Sequence, residues 1–317
     1  MECAGRAQRR RRFASPAKVV SRFACHRTPK SPPFVVALDS WETQSVPRER
    51  SIAAMTLRLW LFGLLGVSLA GMSAMGQEEK WQPGMLFILA GQSNMVGRAD
   101  AKDLPDALRQ GPLNVRLFAG SRWTTVAPGK QFGPEIAFAH EMAKAFPQER
   151  IGLVKVARGG TSLWKDWAPD NADKNALYPR LVAQAKLAMK ASGAKPAAML
   201  WVQGGSDATS KEPAEAYEKN LKAFIARVRS DLGCPDLPFI CGKGGHEGVP
   251  EAIVQRFPFI LLVRQAMANV AKDVPHVHLA STAGLGLNAD QIHYDAAGQI
   301  ELGRRLAAAV VEVLRQK

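Results

Sequence analysis

The sequence predicts an α/β fold in which a central parallel sheet carries helices on both of its faces. Short apolar runs alternate about six times with segments of helical periodicity, which is the pattern of successive βαβ units. Small and polar residues directly follow several of the apolar runs, as is typical of the carboxyl edge of such a sheet. Residues 80–317 contain neither an internal repeat nor a low-complexity linker, so we expect one domain there.

Six strands are predicted, and each is a short apolar run that ends in turn residues. They cover residues 85–90, 114–118, 151–157, 197–203, 237–242 and 277–280. After the second strand, residues 119–122 are expected to turn the chain back, and residues 123–131 to form a polar loop. The first strand stands out because it ends abruptly in Gly91-Gln92-Ser93-Asn94.

Five helices are predicted between and after the strands. They cover residues 133–146, 177–192, 213–232, 259–272 and 296–315. Pro134 suits the first turn of its helix, where the missing N–H would have no partner in any case. The helix over 213–232 has the clearest amphipathic pattern, since Tyr217, Leu221 and Val228 share one face and charged residues lie opposite.

The segment before the domain is predicted to be a processing signal. Residues 55–76 combine a basic start, an apolar stretch and small residues before position 77, which is the pattern of a secretory signal peptide. The apolar stretch is shorter than the roughly 20 residues of a membrane-spanning helix, although an uncleaved anchor is the alternative. The domain then covers residues 77–317, is secreted or periplasmic, and is not expected to insert stably into a membrane.

Residues 1–54 are basic and show no helical or strand periodicity. Because a signal peptide normally begins a chain, we expect Met55 to be the true start and residues 1–54 to be an upstream extension. A disordered basic arm is the alternative. Half of the formal net charge of +14 lies in this extension, and the rest is spread without a basic stripe, so no nucleic-acid partner is expected.

Cysteine and histidine spacing gives no sign of a metal site. The sequence has no CxxC pair and no His/Cys cluster with the spacing of zinc ligands, so neither a metal nor a cofactor is expected. Cys234 and Cys241 lie in the domain, where export permits a disulfide between them. An extended connection would hold their Cα atoms beyond the bonding limit of about 7 Å, and two buried thiols are the alternative.

Ser93 is a candidate nucleophile, because it follows the first predicted strand on a tight turn at the carboxyl edge of the sheet. Its neighbours do not form the Gly-x-Ser-x-Gly elbow of the α/β-hydrolases, since Gln92 and Asn94 flank it. A serine at such a place also caps helices well, and this structural role is the alternative.

A serine nucleophile needs a base that a third group orients. His293 and Asp290 offer both within one loop, although a surface histidine at the head of the last helix is the alternative. The developing oxyanion also needs hydrogen-bond donors. The candidates are the backbone N–H groups of Ser93 and of Gly159 or Gly160, and the side-chain amide of Gln203. Each glycine pair alone is equally explained as a turn.

Four blocks of this sequence occur in the order seen in SGNH hydrolases. They are Gly91-Gln92-Ser93-Asn94-Met95, Gly159-Gly160-Thr161-Ser162, Trp201-Val202-Gln203-Gly204 with Asp207, and Asp290-x-x-His293. The chain most resembles the branch that holds carbohydrate esterase family 6 acetylxylan esterases and the sialate O-acetylesterase-like domain, from about residue 85 to residue 309. This resemblance implies a flavodoxin-like, three-layer α/β/α sandwich and metal-free hydrolysis of O-acetyl esters on carbohydrates.

The resemblance also implies catalytic roles, with Ser93 as nucleophile, His293 as base and Asp290 as its partner. It implies an oxyanion hole from Ser93, a glycine of the second block and Gln203. One departure concerns the third block, which in this family usually reads Gln-Gly-Glu, whereas Gly205 stands in the last position here. Since glycine cannot orient a histidine, either Asp290 does so alone or Asp207 helps.

Further residues are candidates for binding substrate. They are Gln92, Asn94, Arg98, Trp164, Trp167, Asp207 and His246. The two tryptophans could stack on sugar faces, with buried aromatic packing as the alternative. Arg98 and Arg158 could meet a carboxylate, which keeps sialic acid among the candidate substrates.

These patterns together predict an exported serine esterase that removes O-acetyl groups from carbohydrates through an acyl-enzyme. Acetylxylan esterase and sialate O-acetylesterase are the two types considered, and an acetylated carbohydrate is the expected partner. A glycan-binding protein with an impaired hydrolase site is one alternative function. A lipase- or thioesterase-type SGNH hydrolase is the other.

Overall fold

The computed structural model describes residues 81–243 and 249–316. The predicted signal peptide at 55–76 and the extension at 1–54 lie outside the described residues, as does the candidate substrate residue His246. None of the helices within the described ranges has both the length and the apolarity needed to cross a membrane.

Strands and helices alternate along the described chain. The strands are β1 (Met85–Gly91), β2 (Ala99–Asp100), β3 (Val115–Ala119), β4 (Arg122–Thr125), β5 (Gln131–Phe132), β6 (Ile151–Ala157), β7 (Pro196–Val202), β8 (Phe239–Lys243) and β9 (Val277–Ser281). The helices are α1 (Ser93–Val96), α2 (Glu135–Ala145), α3 (Leu177–Ser192), α4 (Lys211–Glu215), α5 (Tyr217–Asp231), α6 (Glu251–Arg256), α7 (Ile260–Asp273) and α8 (Ala296–Arg315).

Seven strands form the central sheet, in the order β4-β3-β6-β1-β7-β8-β9. Every neighbouring pair is parallel except β3 and β4. β1 lies in the middle, between β6 and β7, and its residues 86–90 are fully buried. The predicted α/β fold with a central, largely parallel sheet is thus confirmed. Because β1, β6 and β7 run in the same direction, the turns that follow them meet at one edge of the sheet.

Helices cover both faces of the sheet, and β1 shows this directly because its side chains alternate between the two faces. Leu86 and Ile88 pack in the cluster that includes residues of α3, α5 and α7. Phe87 and Leu89 pack in the cluster that includes residues of α2 and α8. Burying each of these side chains contributes about 1.5–3 kcal/mol of hydrophobic stabilisation. The predicted three-layer sandwich follows from these two clusters.

Each predicted strand overlaps an observed one. The short strands β2 and β5 and the helix α6 were not predicted, and two further parts of the chain differ from the prediction. Residues 122–125, expected in a turn and loop, form β4, which pairs antiparallel with β3. This edge strand is half exposed and lacks a continuous apolar run, so its pairing depends on the hairpin at Gly120, where φ is 65°. The helix predicted over 213–232 is interrupted at Ala216, whose N–H bonds to the carbonyls of Glu212 and Ala214. The apolar face begins only at Tyr217.

The two cysteines of the domain are free, buried thiols. Cys241 lies in β8, and its burial raises the pKa of the thiol to about 12. It therefore stays protonated and unreactive near neutral pH. Of the two arrangements considered from the sequence, the structure has the pair of buried thiols.

Candidate active site

Ser93 stands on a sharp turn directly after the central strand. Gly91 has a φ of 151°, and a Cβ atom there would come within 2.1 Å of the carbonyl oxygen of Val202, so only glycine fits. The N–H of Gln92 donates to the same carbonyl at 2.9 Å. Ser93 then begins the four-residue helix α1 and is 6% exposed. The turn holds the serine at the carboxyl edge of the sheet, which is the position predicted from the sequence.

Asp290 and His293 form a hydrogen-bonded pair in the loop before α8. The Oδ2 of Asp290 lies 2.6 Å from Nδ1 of His293, and its Oδ1 accepts the N–H groups of Ile292 and His293 at 2.9 Å each. Burial raises the pKa of Asp290, but the hydrogen bonds from His293 and Ile292 outweigh it and leave the pKa below its usual value. An ionised carboxylate at Nδ1 favours the tautomer whose Nε2 accepts a proton.

Asn94 joins the nucleophile turn to the histidine loop across about 200 positions of sequence. Its Oδ1 accepts the N–H of Tyr294 at 3.1 Å, and its Nδ2 donates to the carbonyl of Ile292 at 3.4 Å. The residue after Ser93 is therefore bonded to both neighbours of His293. Asn94, considered from the sequence as a substrate residue, thus has a positioning role, and its contact with substrate stays a prediction.

Gly159, in the turn after β6, lies next to the nucleophile. A Cβ atom on it would stand 3.7 Å from the Cβ of Ser93 and 2.8 Å from a guanidinium nitrogen of Arg98. Within the described ranges, the backbone N–H groups of Ser93 and Gly159 have no acceptor. Free N–H groups beside a serine hydroxyl are what stabilisation of an oxyanion requires. Gly160 follows with a φ of 69° and open space around it.

Gln203 is buried and its amide is fully engaged inside the protein. Its Nε2 lies 2.6 Å from Oδ2 of Asp207 and 2.9 Å from the carbonyl of Thr161, and its Oε1 accepts the hydroxyl of Tyr217 at 2.9 Å. A side-chain amide has only two N–H groups, and both have partners here. The expected role of Gln203 as an oxyanion donor therefore stays a prediction that requires one of these bonds to break.

Asp207 is in the interior, which corrects its assignment as a residue that contacts substrate. It is fully buried and accepts the N–H groups of Leu163 and Trp164 at 2.9 and 2.8 Å. Burial raises its pKa, although these N–H groups and Gln203 oppose the shift. Asp207 therefore fixes the loop after β6, and Asp290 is the carboxylate that bonds His293 among the described residues.

The two tryptophans of that loop have different environments. Trp167 is fully buried, packs edge-on against Trp201 at 5.1 Å, and donates from Nε1 to Oγ1 of Thr161 at 3.0 Å. Its predicted stacking on a sugar is therefore wrong, because the ring belongs to the core. Trp164 is 43% exposed and remains free to contact a ligand. Arg98 is exposed beside Gly159, on the same side of the nucleophile.

Gln92 links the nucleophile turn to the loop after β7. Its Oε1 lies 3.3 Å from the N–H groups of Gly204 and Ser206 and from Nε2 of Gln203. A Cβ atom on Gly205 would come within 2.9 Å of Nε2 of Gln92 and 3.4 Å of the ring of Phe257. A side chain at position 205 would therefore press on Gln92 and Phe257, which glycine avoids.

A buried ion pair beneath the nucleophile turn was missed from the sequence. Nζ of Lys155 lies 2.5 Å from Oε2 of Glu135 and donates to the carbonyl of Val96, in α1, at 2.9 Å. The other oxygen of Glu135 accepts the N–H of Gly133 at 3.3 Å. The signal in the sequence is a lysine inside the apolar run of β6, where a charge needs a partner.

The arrangement can perform nucleophilic acyl transfer, because an oriented histidine, a serine and free N–H donors share one edge of the sheet. A cavity of about 230 Å³ opens beside Ser93 and borders Gly205. Among the described residues, no group of three or more His, Cys, Asp or Glu side chains is placed to hold a metal ion.

Comparison with known proteins agrees with this chemistry. A family model described as "Carbohydrate esterase, sialic acid-specific acetylesterase" matches residues 83–312. The "Probable carbohydrate esterase" of Arabidopsis thaliana is 32% identical over 251 residues, which are 72% of this chain and 90% of the relative. A solved Arabidopsis thaliana structure is 28% identical with a TM-score of 0.62, covering 73% of this chain and 98% of that one.

Two further solved structures share the fold. NanS has a TM-score of 0.58 at 14% identity and covers 74% of this chain and 99% of its own. A carbohydrate acetylesterase from Xanthomonas citri has a TM-score of 0.56 at 22% identity and covers 74% of this chain and 57% of its own. The residues that the family model matches include the Ser93 turn and the His293 loop. This chain therefore belongs to the carbohydrate esterase, sialic acid-specific acetylesterase family, and it is a carboxylic ester hydrolase with the SGNH fold.

Proposed function

We propose that this protein is an exported serine esterase that removes O-acetyl groups from a carbohydrate through an acyl-enzyme. The observation that supports this best is the path from Asp290 through Nδ1 of His293, in a loop that Asn94 bonds to the nucleophile turn. This path offers an oriented base in a loop that is bonded to the residue after Ser93, and a serine hydroxyl needs such a base to act as a nucleophile.

The proposed reaction begins when Nε2 of His293 takes the proton of the Ser93 hydroxyl as Oγ attacks the ester carbonyl carbon. The backbone N–H groups of Ser93 and Gly159 then stabilise the oxyanion of the tetrahedral intermediate. The bond from carbon to the sugar oxygen breaks, and His293 returns the proton to that oxygen. Water repeats the sequence on the acyl-enzyme and releases acetate and the free serine.

A carbohydrate as the alcohol part of the ester is supported by the names of the relatives and by two exposed side chains, one in the loop after β6 and one after α1. Trp164 offers an exposed aromatic face, of the kind that packs on the apolar face of a sugar ring. Arg98, next to Gly159, offers a cation to a substrate carboxylate. We propose acetylated xylan and O-acetylated sialic acid as the two substrates to be compared.

The test is hydrolysis of a chromogenic acetate ester, acetylated xylan and O-acetyl sialic acid by the wild type and by Ser93→Ala. We expect the variant to lose at least about 10³-fold in kcat while its circular dichroism is unchanged. Ser210→Ala, on the exposed loop before α4, is the matched control and should retain activity. Affinity for acetylated xylan without hydrolysis would favour a glycan-binding function, and preference for long-chain lipid esters or thioesters would favour a lipase.

Export is proposed because residues 55–76 have the pattern of a secretory signal peptide. Intact-mass and amino-terminal analysis of protein from the native source should find a mature chain that starts near Gln77. A mature chain that starts within residues 1–54 would contradict both the export signal and Met55 as the start.

A further inference from the structure

The cavity beside Ser93 lies on one side of the nucleophile, and the oxyanion donor Gly159 lies on the other. β1 stands between β6 and β7 in the sheet. Gly159 follows β6, together with the loop of Trp164, whereas the cavity is bordered by Gly204 and Gly205 after β7 and by Gly242 in β8. The turn with Gly159 and the cavity are therefore on opposite sides of β1.

One part of the cavity lining is apolar. It is built by Ile253 and Phe257 around α6, by Val263 and Met267 of α7, and by Leu285 after β9. Polar side chains form much of the remaining lining, with Arg264, Thr282 and Tyr294 near the histidine loop and Gln92, Asn94 and Gln203 at the nucleophile turn. A sugar carries hydroxyl groups that need partners throughout, and burying them against alkyl and aromatic side chains costs free energy. An alkyl chain gains from the same contact.

The cavity is also larger than an acetyl group needs. Its volume is about 230 Å³, whereas a group the size of a water molecule takes about 30 Å³ of liquid, so a single methyl group leaves most of it empty. Side chains in place of the two glycines after β7 would press against residues that line the cavity. A Cβ atom on Gly204 would come within 2.8 Å of Val263, and one on Gly205 within 3.4 Å of Phe257.

We propose that this cavity holds the acyl part of the ester and that the enzyme accepts linear acyl chains longer than acetyl, with butyryl fitting the space. The inference rests on the proposed function, in which Ser93 is the nucleophile. The bond changes are those of acetyl transfer: Oγ of Ser93 bonds the acyl carbon, the bond to the alcohol oxygen breaks, and water later releases butyrate. The longer chain extends from the acyl carbon toward α7, while the alcohol lies on the side of Trp164.

The test measures kcat/KM for p-nitrophenyl acetate, butyrate and octanoate with the wild type, Ile253→Trp and Val254→Trp. Ile253 lines the cavity and is half-buried, so a larger ring there narrows the space. Val254 is the neighbouring half-buried residue and does not line it. We expect the wild-type kcat/KM for the butyrate ester to lie within about threefold of that for the acetate ester. The butyrate-to-acetate ratio of kcat/KM should fall about tenfold in Ile253→Trp but not in Val254→Trp.

Two results would overturn this inference. One is a wild-type kcat/KM for the butyrate ester that is about 100-fold or more below that for the acetate ester. The other is an Ile253→Trp variant that keeps the wild-type butyrate-to-acetate ratio of kcat/KM. In either case the proposed esterase function would still stand if the wild type hydrolyses the acetate ester and Ser93→Ala does not. A wild type that hydrolyses none of the three esters would instead contradict the proposed function itself, and the acyl cavity with it.

Discussion

Replacing Lys155 by methionine tests whether the buried ion pair supports the nucleophile turn. The side chains of Lys155 and Glu135 are 16% and 12% exposed, and their charged atoms are 2.5 Å apart. Lys155→Met keeps the length of the side chain but removes the charge. Among the described residues, it leaves the carboxylate of Glu135 with the N–H of Gly133 alone, and it removes the Lys155 donor from the carbonyl of Val96, in α1.

The size of the effect follows from this geometry. Removing one partner of a buried ion pair costs about 3–5 kcal/mol, and the lower end applies because water still reaches both side chains. For a domain of this size, 1 kcal/mol shifts Tm by about 2–4 °C, so Lys155→Met should lower Tm by about 6–12 °C. The loss of the donor to Val96 should also lower kcat on a chromogenic acetate, since α1 begins at the nucleophile.

Lys144→Met is the matched control, because Lys144 pairs with Glu141 on the surface of α2 and is 67% exposed. Exposed pairs contribute about 0–1 kcal/mol, so the control should shift Tm by no more than about 4 °C. Thermal unfolding followed by circular dichroism measures both variants. If Lys155→Met unfolds no earlier than the control, the buried pair does not stabilise the turn and the reasoning fails.

Three further predictions concern the site. Asp290→Asn should lower kcat by about 10³- to 10⁴-fold with little change in KM, because an amide favours the wrong tautomer of His293; near-normal turnover would contradict the orienting role. Gly205→Glu should lower activity in the same assay, since Asp290 already holds His293 and the new side chain crowds the nucleophile turn; a large gain would show that the native site is impaired. Trp167→Ala should cost about 3–5 kcal/mol in urea unfolding, whereas Trp164→Ala should cost less than about 1 kcal/mol and raise KM for a glycan; equal losses would contradict their different burial.

The parts of the fold that the sequence predicted well are those with a strong local signal. β1 is a run of apolar residues ended by a glycine that no other residue can replace, and β6 was predicted to the residue. Asp290 and His293 are three positions apart, so one short loop could bring them together. These features are determined by residues close together in the sequence, so the local residue pattern is enough to predict them.

The parts that were missed depend on contacts between distant residues. Trp164 and Trp167 look alike in sequence, and only the contact of Trp167 with Trp201 separates a core ring from a surface ring. Asp207 lies close to Gln203 and Gly204 in sequence, as a site residue would. Its carboxylate nevertheless accepts hydrogen bonds from N–H groups more than 40 positions away. β4 has no apolar run, and its pairing with β3 is what makes it a strand.

The bond between Asn94 and the loop of His293 has a consequence for when the enzyme becomes active. The nucleophile follows the first strand of the described domain, the base lies in its last loop, and Asn94 connects the two segments. A nascent chain that ends just before position 290 contains every strand of the described sheet but lacks Asp290 and His293, so we expect it not to hydrolyse an ester. In a refolding experiment, the return of activity would therefore report the docking of the carboxyl-terminal part of the chain, after the recovery of secondary structure.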